Sequence, residues 1–264
     1  MPERTLPSKP SKHQPRKKIH MKYTKTKFSP CLLLAMLLAL SCYDVARATT
    51  TISRISSGHV DIFEAEYEND GTNAPTIHLG VHTDTGHYEP ADVLLEVKNS
   101  AYSSTSLFLS PITTILGANA WILPADLEEA GRLGLIEAGV GKVAFPFPTD
   151  SVTFSMVGAG AANPGNFALF TAGSSIRLSA TGSEVGTSSF SITTGHIHYN
   201  WGFSAPGTYT FDLKASYMDA TFGALESAVE TYTFNVIPEP SSGALLLIGL
   251  VSWVATRKRV VLKE

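Results

Sequence analysis

From about residue 50 to residue 236, apolar and polar residues alternate in short runs, each closed by Gly, Pro, Asn or Ser. A period of two sends successive side chains to opposite faces of a strand, so this pattern describes half-buried β-structure rather than helix. The runs predict strands near 58–67, 76–83, 92–98, 119–123, 150–157, 166–171, 174–181, 189–201, 208–218 and 229–236. That many short strands, separated by turn residues, predict an all-β, antiparallel sandwich of Ig-like or jelly-roll-like kind. One short helix is expected from Asp126 to Glu137, where Asp126 can cap and Glu129 sits three residues on, although Gly131 and Gly134 weaken it. A domain of roughly 190 residues buries about 70% of its unfolded surface and needs no cross-link. Both cysteines, Cys31 and Cys42, lie outside it.

The two ends read as targeting segments and are set aside from the fold. Residues 1–48 combine Lys22, Lys25 and Lys27, an apolar run from Cys31 to Leu40, and the small residues Ala46 and Ala48. These are the three parts of a secretory signal, with cleavage by signal peptidase after Ala48. The run is shorter than the ~20 residues of a spanning helix. Residues 1–20 are polar and basic, which makes Met21 the expected start, the alternative being a long basic n-region. Ala39-Leu40-Ser41-Cys42 also admits a lipoprotein reading with Cys42 acylated. At the other end, residues 237–264 hold Pro238-Glu239-Pro240, an apolar run from Ala244 to Ala255, and Arg257-Lys258-Arg259. This order resembles the PEP-CTERM sorting signal. The resemblance implies a Gram-negative bacterium, an exosortase-type processing enzyme and a link to exopolysaccharide. An ordinary single-pass anchor is the plain alternative, with the basic cluster left in the cytoplasm.

Residues 49–236 carry six Lys and Arg against nineteen Asp and Glu, a formal charge of −13. Such a surface repels nucleic-acid phosphates and anionic lipid, and it draws cations or basic partners.

Several stretches carry a second resemblance: Gly58-His59-Val60-Asp61-Ile62, Trp121-Ile122-Leu123-Pro124, Asn163-Pro164-Gly165-Asn166-Phe167, and Gly195-His196-Ile197-His198-Tyr199-Asn200-Trp201 with Phe203 and Pro206-Gly207-Thr208-Tyr209. Together they resemble the choice-of-anchor M domain, a family of bacterial surface domains joined to different anchoring tails. Asn163 stands where that family usually has Gly. The resemblance implies a surface location and, through some relatives, an association with metal-uptake transporters. It implies no particular activity.

Six of the eight histidines fall in the cysteine-free domain. His196 and His198 share a strand face, and a hairpin running into the next strand would pair Trp201 with Phe211 and set Asp212 beside Asn200, diagonal to His198. With a third ligand from His59, His87 or Asp212, the pair would suit a divalent metal such as zinc, copper or manganese. Without one, both rings serve structural hydrogen bonds. His78 and His82 lie ~13 Å apart along a straight strand and cannot share one ion. Glu64, Glu66, Glu68 and Asp70 read as a solvated strand face; calcium would need an Asp-rich loop that is missing here. Gly158-Ala159-Gly160 lacks the Lys-Ser/Thr of a phosphate loop, and no carboxylate pair is marked as acid and base.

The sequence therefore describes an exported, surface- or matrix-associated β-domain without catalytic activity, with metal binding or delivery as the alternative and a polysaccharide-active enzyme third. Mass spectrometry of surface material should find a chain beginning near Thr49 and ending close to Pro238-Glu239-Pro240. Peptides from residues 1–40, or an intact Lys263-Glu264 terminus, would overturn that processing scheme.

Overall fold

The computed structural model describes residues 52–238. The signal residues Ala46 and Ala48 and the sorting residues Glu239, Pro240, Arg257, Lys258 and Arg259 lie outside the described residues. No helix among the described residues is long and apolar enough to cross a membrane.

The expected alternation is realised as an all-β fold of three sheets around a main aromatic-rich core, with a smaller cluster formed by Ile112, Leu116, Ile122 and Phe170. The first sheet has seven strands. Six run in the order Ser53–Ile55, Val93–Val97, Glu230–Val236, Gly207–Asp219, Val152–Ala159 and Ser189–Ile192, and Gly223–Glu226 adds to the long Gly207–Asp219 strand. The second runs Glu184–Val185, Ile176–Thr181, Asn166–Phe170, Asn200–Phe203, Asn119–Leu123 and Tyr102–Ser104. The third, which carries the candidate site, runs His196–His198, Ile136–Val143, Gly58–Glu68, Thr76–Thr83 and Gly86–Tyr88.

Four expectations are corrected. The sheets are not purely antiparallel: Val93–Val97 pairs in parallel with both Ser53–Ile55 and Glu230–Val236, and Gly58–Glu68 pairs in parallel with Ile136–Val143. A parallel pair needs a long crossover, which alternation alone does not reveal. Among the described residues two α-helices form rather than one, the additional one being Ser110–Leu116, with Pro111 in its first turn. The expected helix is shorter, Leu127–Leu133; Asp126 caps it by accepting from the Glu129 N–H at 2.9 Å, and Gly134 ends it in the left-handed region at φ 63°. Ile136 onward is therefore strand.

The fourth correction concerns residues 189–201, which are expected as one strand but divide among three sheets. Ser189–Ile192 joins the first, His196–His198 the third, and Asn200–Phe203 the second. Trp201 therefore pairs with Leu169 and Leu123, not Phe211, which pairs with Tyr232 and Ala159. Side-chain hydrogen bonds hold the chain at the start of Asn200–Phe203 and in the turn that follows it. Buried Asn200 accepts the Ala125 N–H at 2.8 Å, and the Tyr209 hydroxyl both accepts from the Ala205 N–H and donates to the Ala205 carbonyl.

Trp201 is fully buried, with its ring centroid 4.7 Å from Phe63 of the third sheet, 5.7 Å from Phe234 of the first and 6.2 Å from Phe167 of its own. It thus joins all three layers. Trp201→Ala should cost about 3–5 kcal/mol in urea unfolding, the range for deleting a large buried aromatic, whereas exposed Met218→Ala should stay within about 0.5 kcal/mol.

Candidate metal centre

The outer face of the third sheet is built around a bulge. Along Gly58–Glu68 the inward side chains are Val60, then both Ile62 and Phe63, then Ala65 and Tyr67. The register against both neighbours slips by one residue at this point, with Asp61 opposite Gly139 and His82, and Glu64 opposite Gly141 and Gly80. Ile62 is the extra residue. Strict alternation would separate Asp61 and Glu64 onto opposite faces; the bulge puts both on the outer one.

Two cross-strand rows result. One reads His198, Gly139, Asp61, His82, His87 across all five strands, and the next reads His196, Gly141, Glu64, Gly80. Every position is His, a carboxylate or Gly. The glycines are sterically required. A Cβ on Gly139 would overlap Asp61 and reach within 2.5 Å of the His196 ring, one on Gly141 would stand 3.0 Å from Asp61 Oδ2, and one on Gly80 would collide with the His87 ring.

His59, His196 and His198 meet at one end of these rows, offering ligand atoms within 4.8 Å of one another. Their Nε2 atoms face inward: His59 to His196 is 3.4 Å and His196 to His198 is 2.5 Å. Zinc–imidazole bonds of 2.0–2.1 Å place tetrahedral ligand nitrogens roughly 3.3 Å apart, so the rings already lie at ligand spacing or closer. Two of the outward nitrogens face carboxylates. His196 Nδ1 lies 2.6 Å from Asp61 Oδ1, and His59 Nδ1 lies 3.8 Å from Asp84 Oδ1. A carboxylate behind a ligand imidazole holds the proton on Nδ1 and leaves the Nε2 lone pair free. The first contact is close but off the line of a straight N–H···O bond, so buried Asp61 Oδ1 has no in-line donor, and neither does buried His198 Nδ1 have an in-line acceptor.

Burial, then the neighbouring His196, push His198 below its ordinary pKa, while the Ala138 carbonyl opposes them; His59 adds to the lowering. A depressed His198 is neutral near pH 7 and ready to ligate.

The other end of the trough gathers Glu64, His82 and His87, again with ligand atoms within 4.8 Å. Glu64 Oε1 is 3.3 Å from His87 Nδ1 and 3.8 Å from His82 Nδ1. Glu64 is buried, and that burial, reinforced by Asp61, raises its carboxyl pKa against the pull of the two histidines. His78 belongs to neither cluster and faces Glu89 at 3.3 Å.

Among the expected ligands, His59 joins His196 and His198. His87 instead joins the second cluster. Asp212 is far from both in the fold: it sits in the first sheet opposite Thr231 and Gly158, and its Oδ1 accepts the Thr231 hydroxyl at 2.6 Å. The hairpin that would have brought it to His198 does not form. Glu68 and Asp70 are exposed as expected, Asp70 accepting from the Thr72 and Asn73 N–H groups, which hold its carboxyl at about 2. Asp61 and Glu64 are the ligand-shell residues that alternation misses, because only the bulge puts them together.

Comparisons with protein-family models, curated proteins and solved structures gave no match. The pH response of the His198 end tests its geometry. A histidine whose folded pKa lies below its unfolded value destabilises the fold as pH falls through the unfolded value of about 6.5 toward the folded one. Metal-free protein should lose urea stability over that interval, and His198→Gln should flatten the dependence. An identical pH slope in the variant would show that the ring is not held neutral by its surroundings.

Proposed function

We propose that this chain is an exported, surface- or matrix-associated β-sandwich protein that binds a divalent transition metal through His59, His196 and His198. The convergence of three imidazole Nε2 atoms in front of Asp61 and Asp84 carries this reading. Three neutral nitrogens form a borderline-soft set that favours zinc or copper over calcium or magnesium, which prefer oxygen. The acidic surface around the site attracts cations and suits capture or delivery rather than nucleic-acid binding.

The location rests on the ends of the chain: a signal cleaved after Ala48, and a tail handled by an exosortase-type enzyme at Pro238-Glu239-Pro240. Exopolysaccharide or other surface components are then the natural neighbours. The choice-of-anchor M resemblance points the same way, through its surface location and the metal-uptake transporters of some relatives.

Calorimetry of the metal-stripped protein with zinc and with copper tests the site. Binding should be lost in His198→Ala and weakened about 10–100-fold in Gly139→Ala, which displaces Asp61 and the His196 ring without removing a ligand. Native affinity no tighter than about 1 mM, or a His196→Ala/His198→Ala protein that simply unfolds, would make these histidines structural.

A further inference from the structure

We infer that the same trough holds a second divalent metal ion, bound by Glu64, His82 and His87. The inference takes the first site as given but rests on different side chains. A buried carboxylate oxygen faced by two imidazole nitrogens at 3.3 and 3.8 Å is a mixed nitrogen–oxygen donor set. Its members come from three adjacent strands: Glu64 from Gly58–Glu68, His82 from Thr76–Thr83, and His87 from Gly86–Tyr88. The His87 ring occupies the space over Gly80 that any side chain would fill. The hairpin turn is itself fixed, the Thr83 hydroxyl donating to the Gly86 carbonyl at 3.1 Å.

Charge gives a second, independent reason. The trough is lined by Asp61, Glu64, Glu66 and Asp84 together with His59, His82, His87, His196 and Val143, with no Lys or Arg among them. The one lysine of the neighbouring strand, Lys142, is turned away and donates to the Pro148 and Asp150 carbonyls. Four carboxylates converging without a protein cation repel one another, and Asp61 Oδ1 and Glu64 are both buried. One divalent ion at the histidine end balances half of that charge, and a second at Glu64 balances the remainder. Asp61 lies between the two positions. One of its oxygens faces His196, and the other lies over Gly141, above which Glu64 Oε2 also sits. The two ions would thus be coupled through adjacent carboxylates.

Equilibrium dialysis of the metal-stripped full chain against zinc, read by elemental mass spectrometry, should give two ions per chain. His87→Ala and Glu64→Gln should each bind one, His198→Ala should bind one, and His87→Ala combined with His198→Ala none. Cobalt(II) provides a readout that misfolding would not mimic: two successive visible spectra on titration, the later absent in Glu64→Gln, whose shape is conserved. One ion per native chain, lost in His198→Ala and unaffected by His87→Ala, would overturn the second site and leave the first intact. No bound zinc in the native chain would overturn both.

Discussion

The site depends on one extra residue. Without Ile62, the Gly58–Glu68 strand would keep strict alternation, and either Asp61 or Glu64 would point into the aromatic core, where an unpaired carboxylate is costly. With it, Ile62 and Phe63 both fill the interior while the two acids share the outer face. Both neighbouring strands accommodate the slip, so it belongs to the sheet as a whole. A bulge at this point also increases local twist, which helps the outer side chains lean toward one another.

The second constraint is the choice of small residues. Side chains directly opposite on adjacent strands stand about 4.5–5.5 Å apart, so imidazoles and carboxylates crowd as they turn toward a common centre. Gly139, between His198 and Asp61, and Gly141 and Gly80, on either side of Glu64, let the neighbouring large side chains lean sideways over the backbone. Glycine weakens a strand by roughly 0.5–1 kcal/mol relative to alanine. Here that loss is spread over a sheet whose inner face, with Val140, Ala138, Leu79 and Val81 all buried, is anchored to the core.

Much of the fold is legible in the sequence because alternation reports which residues face a core. Gly58–Glu68, Thr76–Thr83, Asn119–Leu123 and Glu230–Val236 all lie within a residue or so of the predicted runs. Alternation does not report which sheet a strand joins. Residues 189–201 read as one strand, yet they visit three sheets: the inward positions change phase across Thr193 to Gly195, from Phe190 and Ile192 in the first sheet to Ile197 in the third and Trp201 in the second, all reaching the shared core. Ile136–Val143 escapes notice for the opposite reason: its outer positions include Gly139 and Gly141, so the polar half of the pattern is missing where the site needs room. His59, His196 and His198 are identifiable from spacing and composition. Asp61 and Glu64 are not, since their partnership exists only after the register slips.

The two ends of the trough differ in ways that bear on what each can hold. At the histidine end, the half-buried His198 imidazole is disfavoured from protonation by desolvation and by a second histidine, so protons compete weakly for its lone pair. At the other end, burial raises the Glu64 pKa, so a proton and a metal ion compete for the same oxygen. An anionic oxygen with two nitrogens is a harder donor set than three nitrogens. Asp61 separates them: one of its oxygens faces His196 Nδ1, on the side of the ring away from the Nε2 cluster, and its carboxylate disfavours ionisation of Glu64. A positive charge placed at one end would therefore change the electrostatic cost of placing one at the other.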